Sequence, residues 1–495
     1  MKIQAYILES TVFLCGAVVM VFELVGSRVL GPYFGTSTFV WTSLIGIILG
    51  SLSLGYYLGG RVADRRPQFQ NLSLIIFLAA LGIGLTITIK EPLLMFLQAH
   101  IVDIRLASVV GAVLLFSPTS VLLGMVSPYA VKLTLGNLDT SGATVGNLYA
   151  LSTAGSIFGT FLSGFYLIPY FGTNTLLIIL SGALILLSLV LTWGQSFRTK
   201  AIVVVIMALC WVGAEKTNPL LLKRGFLDID TSYNRVFIYD VEDRQTHRMV
   251  KVMGINNENH SSMNLENNEL VNEYTKYYHL ARHFNPGFRT TLMLGGAGYS
   301  YPKAFLETYP EASMDVVEID PQMTELAKKY FRLTENPRLA IYHEDGRVFL
   351  NTASKRYDVI FGDAFGSRYS LPYQLTTKEA IQRKYDVLED DGVVIVNTIS
   401  AIEGKRGEFL RAEYATYKSI FPQVYLFPVR NREDGLLVQN IMLVALKSKE
   451  TPSFTSTDPA LNEYLHHLWK QEIKNDLPIL TDDFAPVDFY INKTI

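Results

Sequence analysis

Hydrophobic positions fall along this chain in two regimes. Up to residue 214 they form long runs with few charges, and beyond it they come as short strands and helical stripes parted by polar turns. Seven apolar stretches make up the first regime, at about 6–30, 38–60, 71–89, 106–131, 144–170, 173–193 and 200–214. A helix that crosses a bilayer needs roughly 20 apolar residues. The first six stretches meet that length. The seventh has about 14 uncharged residues, a length that also suits a partial or interfacial segment.

The second regime alternates strands with helices. EKTNPLLLKRG (215–225) reads as a linker or a surface-lying segment. Residues 230–255 alternate as two strands around a turn at Glu242–Gln245, a small antiparallel hairpin. Residues 268–284 have helical spacing with aromatic-rich faces, and then LMLGGAGYSYPKAFLETYPEASMDVVEIDP (292–321) reads as strand, Gly-rich turn, helix and strand. A helix follows from Pro321. Further strands are predicted at 339–342, 357–365, 392–399, 423–428 and 438–446, with a helix near 407–420. This order gives a largely parallel, doubly wound sheet. Ligands bind such sheets at the carboxyl ends of the strands. Four of those ends carry Gly295–Gly298, Glu318, Asp345–Gly346 and Asp363. Glycines let a backbone approach a ligand closely. An acid roughly 20 residues after them is placed to take both hydroxyls of a ribose.

Composition sharpens the division. The chain has 495 residues, 49% of them hydrophobic, with a mean hydropathy of +0.24. That is too apolar for an ordinary soluble enzyme, so a membrane half and a soluble half is the simplest reading. The net charge of −2 gives no general bias toward nucleic acid. Cys15 and Cys210 both lie in apolar runs and build neither a disulfide framework nor a zinc site. His260, His279 and His343 have no metal-ligand spacing, so no metal is expected. The first apolar run is too long for a cleaved signal and carries Glu9 and Glu23.

Basic residues set orientation. Arg61, Arg65 and Arg66, then Lys132, then Arg198 and Lys200 flank alternate spans, against Arg28, Lys90 and Arg105 on the other side. This bias puts the N-terminus and the 61–70 loop in the cytoplasm. Seven full spans would then put the soluble half outside, in conflict with a cofactor made in the cytosol. Either the seventh stretch does not span or the N-terminus lies outside, and a cytoplasmic soluble half is the expectation. Gly46, Gly50, Gly55, Gly59, Gly60, Gly155, Gly159 and Gly164 suit close helix packing. Glu23 and Arg28, ionisable groups in an apolar run, pair with each other, or one of them lines a pore, or Arg28 snorkels near a helix end.

The region from about 226 to 495 resembles the spermidine synthase family of aminopropyltransferases, which is built on the class I methyltransferase fold. The residues that carry the resemblance are DTSYNRVFIYD, EYTKYY, LGGAGYSYP, VVEIDP, HEDGRVFL, YDVIFGDAF and LPYQLTT. The whole chain is similar to that family's membrane-fused branch, through FELVGSRVLGPYFG, LGGRVADRRP and the terminal TDDFAPVDF. The implied architecture is an α-helical membrane domain of six or seven spans (1–214) and a linker (215–225). A β-hairpin subdomain (226–256) and a class I methyltransferase-like Rossmann domain (257–495) complete it.

The resemblance implies transfer of an aminopropyl group from decarboxylated S-adenosylmethionine to an amine, releasing methylthioadenosine. By its motifs Asp363 is the catalytic Asp, which takes the amine's proton, and Glu318 holds the ribose. Asp345 takes the adenine amino group with Gly346 alongside, and Gly295, Gly296 and Gly298 face the sulfonium. Asn234 approaches the donor, and Tyr233, Tyr274 and Tyr373 belong to the substrate pocket. Two departures stand out. Soluble relatives carry an acid just after the first glycines, where this chain has Gly298 and Tyr299. They carry a second acid shortly after the catalytic one, where this chain reads Ala364, Phe365, Gly366, Ser367 and the cationic Arg368. A diamine would lose anchors worth roughly 1.5–3 kcal/mol each. Ordinary S-adenosylmethionine as donor therefore stays open, with a methyltransferase on a small or lipid-borne acceptor as the second function. A polyamine or nucleoside transporter with a sensing domain is the third. A small-molecule amine, the lipid bilayer and a second copy of the chain are the expected partners.

Overall fold

A computed structural model describes residues 2–135, 141–192, 200–202, 204–205, 225–243, 246–256, 258–364 and 371–492. Most of the seventh apolar stretch, most of the 215–225 segment, part of the Glu242–Gln245 turn, and Phe365 through Arg368 lie outside the described residues. The chain forms two compact units. One is Met1–Leu222 with Ser232–Arg235, and the other is Lys223–Thr231 with Val236–Ile495.

Among the described residues the first unit holds six helices long and apolar enough to cross a membrane: α1 (Gln4–Phe34), α2 (Thr38–Arg65), α3 (Phe69–His100), α4 (Ile104–Thr134), α5 (Ser141–Tyr170) and α6 (Thr173–Thr192). They coincide with the six long apolar stretches of the sequence. Small residues set their closest approaches. A side chain on Gly155 or Gly159 would collide with the backbone of Phe13 or Ala17, and one on Gly55 or Gly59 with the backbone of Val121 or Met125. Gly46, Gly50, Gly60 and Gly164 face open space instead and have no such role.

The second unit contains two sheets. The smaller has four antiparallel strands in the order β1 (Leu227–Asp230), β2 (Arg235–Glu242), β3 (Met249–Ile255), β4 (Glu258–Asn264). The sequence reading gave two strands here. β4 is ENHSSMN, which has no hydrophobic alternation. It is a strand because its backbone pairs along β3, and it buries Ser261, Ser262, Met263 and Asn264. The segment expected as one helix over 268–284 is broken into α7 (Glu273–Lys276), a 3₁₀ turn at Tyr277–His279 and α8 (Leu280–Phe284). The consecutive rings of Tyr277 and Tyr278 are both buried. Tyr277 packs on Tyr464, and Tyr278 packs on Tyr301 and Phe361. Burying both overrides the regular helical period.

The larger sheet has β5 (Thr290–Leu294), β6 (Ser313–Val317), β7 (Leu339–Tyr342), β8 (Tyr357–Gly362), β9 (Leu388–Ser400), β10 (Gln423–Pro428) and β11 (Gln439–Leu446). Its order is β10-β11-β9-β8-β5-β6-β7, with β11 antiparallel to both neighbours and the other six running one way. This is the strand order of a class I methyltransferase-like Rossmann fold. The order reverses at β5, so the crevice beyond β5 and β8 is the topological switch point. Alternate residues feed two cores. Met293, Val359 and Phe361 pack on one face, and Leu292, Leu294, Ile360 and Val394 on the other.

A charged pair sits in the second core. Lys384, on the helix Lys378–Asp386, donates to the Tyr417 hydroxyl at 2.8 Å and the Leu375 carbonyl at 3.1 Å. Glu413, on the helix Glu408–Lys418, accepts from Thr398 at 2.8 Å. Both line one small cavity behind Gly362 and Ala364. Burial pushes the lysine down and the glutamate up, and each one's charge opposes the other's shift. Removing one member of such a pair strands the other charge. Lys384→Met alone should therefore lose about 3 kcal/mol or more, while Lys384→Met with Glu413→Met should recover most of it. Thermal unfolding midpoints of the full chain in detergent check this, and equal losses in the single and double variants would refute the coupling.

Candidate active site

The Gly-rich turn after β5 is built from backbone strain and close approach. Gly295 has φ +96°, and Ala297 and Tyr299 also adopt positive φ, at 44° and 54°. A side chain on Gly295 would occupy the position of the Asp363 carbonyl oxygen. The Asp363 N–H donates to the Leu294 carbonyl at 2.9 Å, so the ends of β5 and β8 are fastened side by side. Gly298 is as tightly placed. Its N–H donates to the Ser261 hydroxyl at 3.1 Å, and a Cβ there would stand 2.7 Å from that serine's side chain.

Glu318 follows β6 and is buried. One carboxylate oxygen accepts from the N–H groups of Gly296 at 2.9 Å and Ala297 at 3.0 Å, and the other from Asp320 N–H at 3.0 Å. The acid thus braces the glycine turn from the neighbouring strand. Asp345 caps the helix Gly346–Thr352, accepting from the N–H groups of Arg347 at 2.8 Å and Val348 at 3.1 Å. Its second oxygen takes the Gln374 amide at 3.4 Å. At Gly346 an added methyl would make only ordinary contact with Leu375 and Leu294, so this glycine answers no steric demand from its neighbours.

Asp363 lies just past β8, at the switch point. Asn397 donates to one of its oxygens at 3.0 Å, and the Tyr274 hydroxyl to the other at 3.0 Å. Asn440 in turn donates to Asn397 at 2.9 Å, which fixes the amide's orientation. Burial pushes the Asp363 carboxyl up to about 6, against the hydrogen bonds from Asn397 and Tyr274 that favour the anion. Burial and the neighbouring Asp363 charge hold Tyr274 well above the usual phenol range, so it is a neutral donor. Tyr278 donates to the Gly362 carbonyl at 3.2 Å from the same side. The arrangement presents a carboxyl that exchanges a proton near neutrality, beside a loop and an acid of dinucleotide-site type.

The structure therefore brings together Gly295, Gly296, Gly298, Glu318, Tyr274 and Asp363. Asp345 and Gly346 stand at the end of β7. Tyr373 begins the 3₁₀ turn Tyr373–Leu375 and is exposed. Tyr233, also exposed, and Asn234 lie between β1 and β2, in the segment Ser232–Arg235 that is assigned to the first unit. Sequence reading missed Asn397, Asn440 and Ser261. Asn397 had a signal, since it is a polar residue inside the apolar strand VVIVNTI. Ser261 had none. Among the described residues no three His, Cys, Asp or Glu side chains gather as a metal site.

Residues 273–452 match the spermine/spermidine synthase domain. A polyamine aminopropyltransferase of Vibrio vulnificus is 34% identical over 170 residues, covering 34% of this chain and 54% of the relative. A probable polyamine aminopropyl transferase of Bifidobacterium longum is 26% identical over 320 residues, covering 59% of this chain and 69% of the relative. The crystal structure of a probable spermidine synthase from Corynebacterium glutamicum aligns with a TM-score of 0.44 at 21% identity, over 52% of this chain and 96% of that one. The chain spans about half the length of the Vibrio relative.

Glu318→Ala should loosen the glycine turn, because three backbone N–H groups lose a charged acceptor worth roughly 1.5–3 kcal/mol each at most. A lowered unfolding midpoint, with Glu318→Gln in between, is the expected result. An unchanged midpoint in Glu318→Ala would show that the turn holds itself.

Proposed function

We propose that the sheet unit, which belongs to the spermine/spermidine synthase domain family, transfers an aminopropyl group from decarboxylated S-adenosylmethionine to an amine. The observation that carries this reading is the enclosed Asp363 carboxyl, held by Asn397 and Tyr274 at the switch point of the sheet. In the reaction the amine nitrogen attacks the methylene carbon beside the sulfonium. The carbon–sulfur bond breaks, methylthioadenosine leaves with the electron pair, and the new ammonium gives up a proton to Asp363. An amine of pKa about 10 is mostly charged at pH 7, so a base at the point of attack raises the fraction able to react. A site that holds donor and amine in line supplies the rest.

The remaining assignments belong to the same proposal. Glu318 meets the ribose and Asp345 the adenine amino group with Gly346 beside it, while Gly295, Gly296 and Gly298 form the floor under the donor's sulfonium side. Tyr274, Tyr233, Asn234 and Tyr373 border the amine and the donor. The six apolar helices anchor the protein in a bilayer, with the sheet unit on the cytoplasmic side where the donor is made.

One observation favours a second reading, methyl transfer from ordinary S-adenosylmethionine. No carboxylate stands at Gly298 or Tyr299 to hold the donor's free amine. Gly298 is backed by the Ser261 hydroxyl, and the Tyr299 hydroxyl is engaged with Thr324 at 2.7 Å. A donor that keeps its own carboxylate needs no acid there. Calorimetry of both donors on the full chain in detergent separates the readings. Tighter binding of the decarboxylated donor, with methylthioadenosine as product, is the expected result. Tighter binding of the ordinary donor, with S-adenosylhomocysteine as product, overturns it.

The base makes two further predictions. Asp363→Asn should leave donor affinity nearly unchanged and reduce turnover about 10²–10⁴-fold. Asp363 accepts a proton only when ionised, so kcat/KM should fall as pH drops through about 6. The Tyr274 hydrogen bond favours the anion, so Tyr274→Phe should move this acid limb to higher pH. An acid limb that stays in place in Tyr274→Phe would remove Asp363 as the group titrating in kcat/KM.

A further inference from the structure

Polar side chains in the helical unit mostly find partners. Arg28 donates to the Ile168 carbonyl at 2.9 Å, and Glu9 accepts from Asn147 at 3.1 Å. Serine and threonine hydroxyls at Thr11, Ser27 and Ser43 donate back into their own helices. Glu23 differs. It lies well inside α1 and is 9% exposed, and among the described residues no hydrogen bond or ion pair reaches its carboxylate. Arg28, the cation nearest in sequence, is not its partner.

A second observation falls at the same level of the bundle. Helices α1 and α5 run parallel, with Gly155 against Phe13 and Gly159 against Ala17, the same offset in both pairs. Carried six residues further, that register sets Glu23 level with Phe165, within Ser163–Leu167, where α5 opens into a π-helix. Such π turns occur rarely and gather at functional sites. The Ser163 hydroxyl oxygen is fully buried there and has no hydrogen-bond partner.

We propose that Glu23 is the anionic ligand of a cation site inside the helical unit, with the Ser163 hydroxyl as a second oxygen ligand. The ligand is a monovalent cation, either an ammonium group or an alkali ion. Ionisable side chains inside a membrane persist where they pair or lie on a pathway, and among the described residues none supplies Glu23 with a cation. Carboxylate and hydroxyl oxygens are hard donors suited to such ions. One carboxylate neutralises one positive charge, whereas a divalent ion would leave net charge within the apolar layer. The proposal rests on the helical unit spanning a bilayer and is independent of aminopropyl transfer.

The test labels the full chain in detergent with a hydrophobic carbodiimide, which reacts with carboxyl groups in apolar surroundings, and reads the α1 peptide by mass spectrometry. Labelling at Glu23 should be absent in Glu23→Gln, while Glu23→Asp should keep it. Both variants should still bind the donor at the sheet unit, which shows that they fold. A cation at about ten times its dissociation constant should slow labelling about tenfold by mass action. Protection by methylammonium chloride assigns an ammonium ligand, and protection by sodium or potassium chloride assigns an alkali ion. The proposal is overturned if Glu23 resists labelling without any added cation, if none of these salts protects it, or if tetramethylammonium chloride protects equally.

Discussion

The carbonyl of Asp363 occupies the space that a side chain on Gly295 would need, and the rest of the site depends on that approach. Because the two backbones touch, the ends of β5 and β8 sit at hydrogen-bond distance, joined through Asp363 N–H and the Leu294 carbonyl. The glycine turn then has a fixed starting point. Glu318 reaches across from β6 and takes two N–H groups of that turn. Three strand ends are thus fastened to one another by main-chain groups. The Asp363 side chain is left out of this fastening and is oriented separately, by Asn397 and Tyr274.

The strands of this sheet were legible because each combines a short apolar run with a turn signal. The strands at 339–342 and 423–428 were read with the bounds they have, and Gly295, Glu318 and Asp363 follow from those strand ends. What supports them was harder to see. Ser261 belongs to a strand whose sequence is polar throughout, since backbone pairing with β3 rather than hydrophobic alternation makes it a strand. Asn397 stands in an apolar run, where an amide is either an error in a core or a deliberate contact. The sequence cannot say which partner it meets, because Asp363 is brought there by a neighbouring strand.

The helical unit shows the same limit in another form. Glycine spacing marks the face of a helix that can approach a neighbour, but not which turns of it do. Gly55 and Gly59 touch backbone, while Gly46 and Gly50 on the same helix face open space. Length and hydropathy found the six helices because a spanning helix must satisfy its own backbone, whatever surrounds it. Which helix lies beside which is decided by packing, and that information is spread over residues far apart in the chain.

Two carboxylates at the site carry opposite loads. Glu318 accepts three backbone N–H bonds, so most of its four lone-pair positions are already in use. A ribose that binds Glu318 must share or displace one of these bonds. On the proposed assignment, donor binding is then coupled to the conformation of the glycine turn, and through Gly295 to the position of Asp363. The hydrogen bonds that reach Asp363 do not offset its burial, and its carboxyl is pushed up to about 6. A carboxylate at its ordinary value would be a weaker base by roughly two powers of ten. On the proposed reading, burial that its hydrogen bonds do not offset suits Asp363 to act as a base, and three backbone bonds make Glu318 a dependable frame.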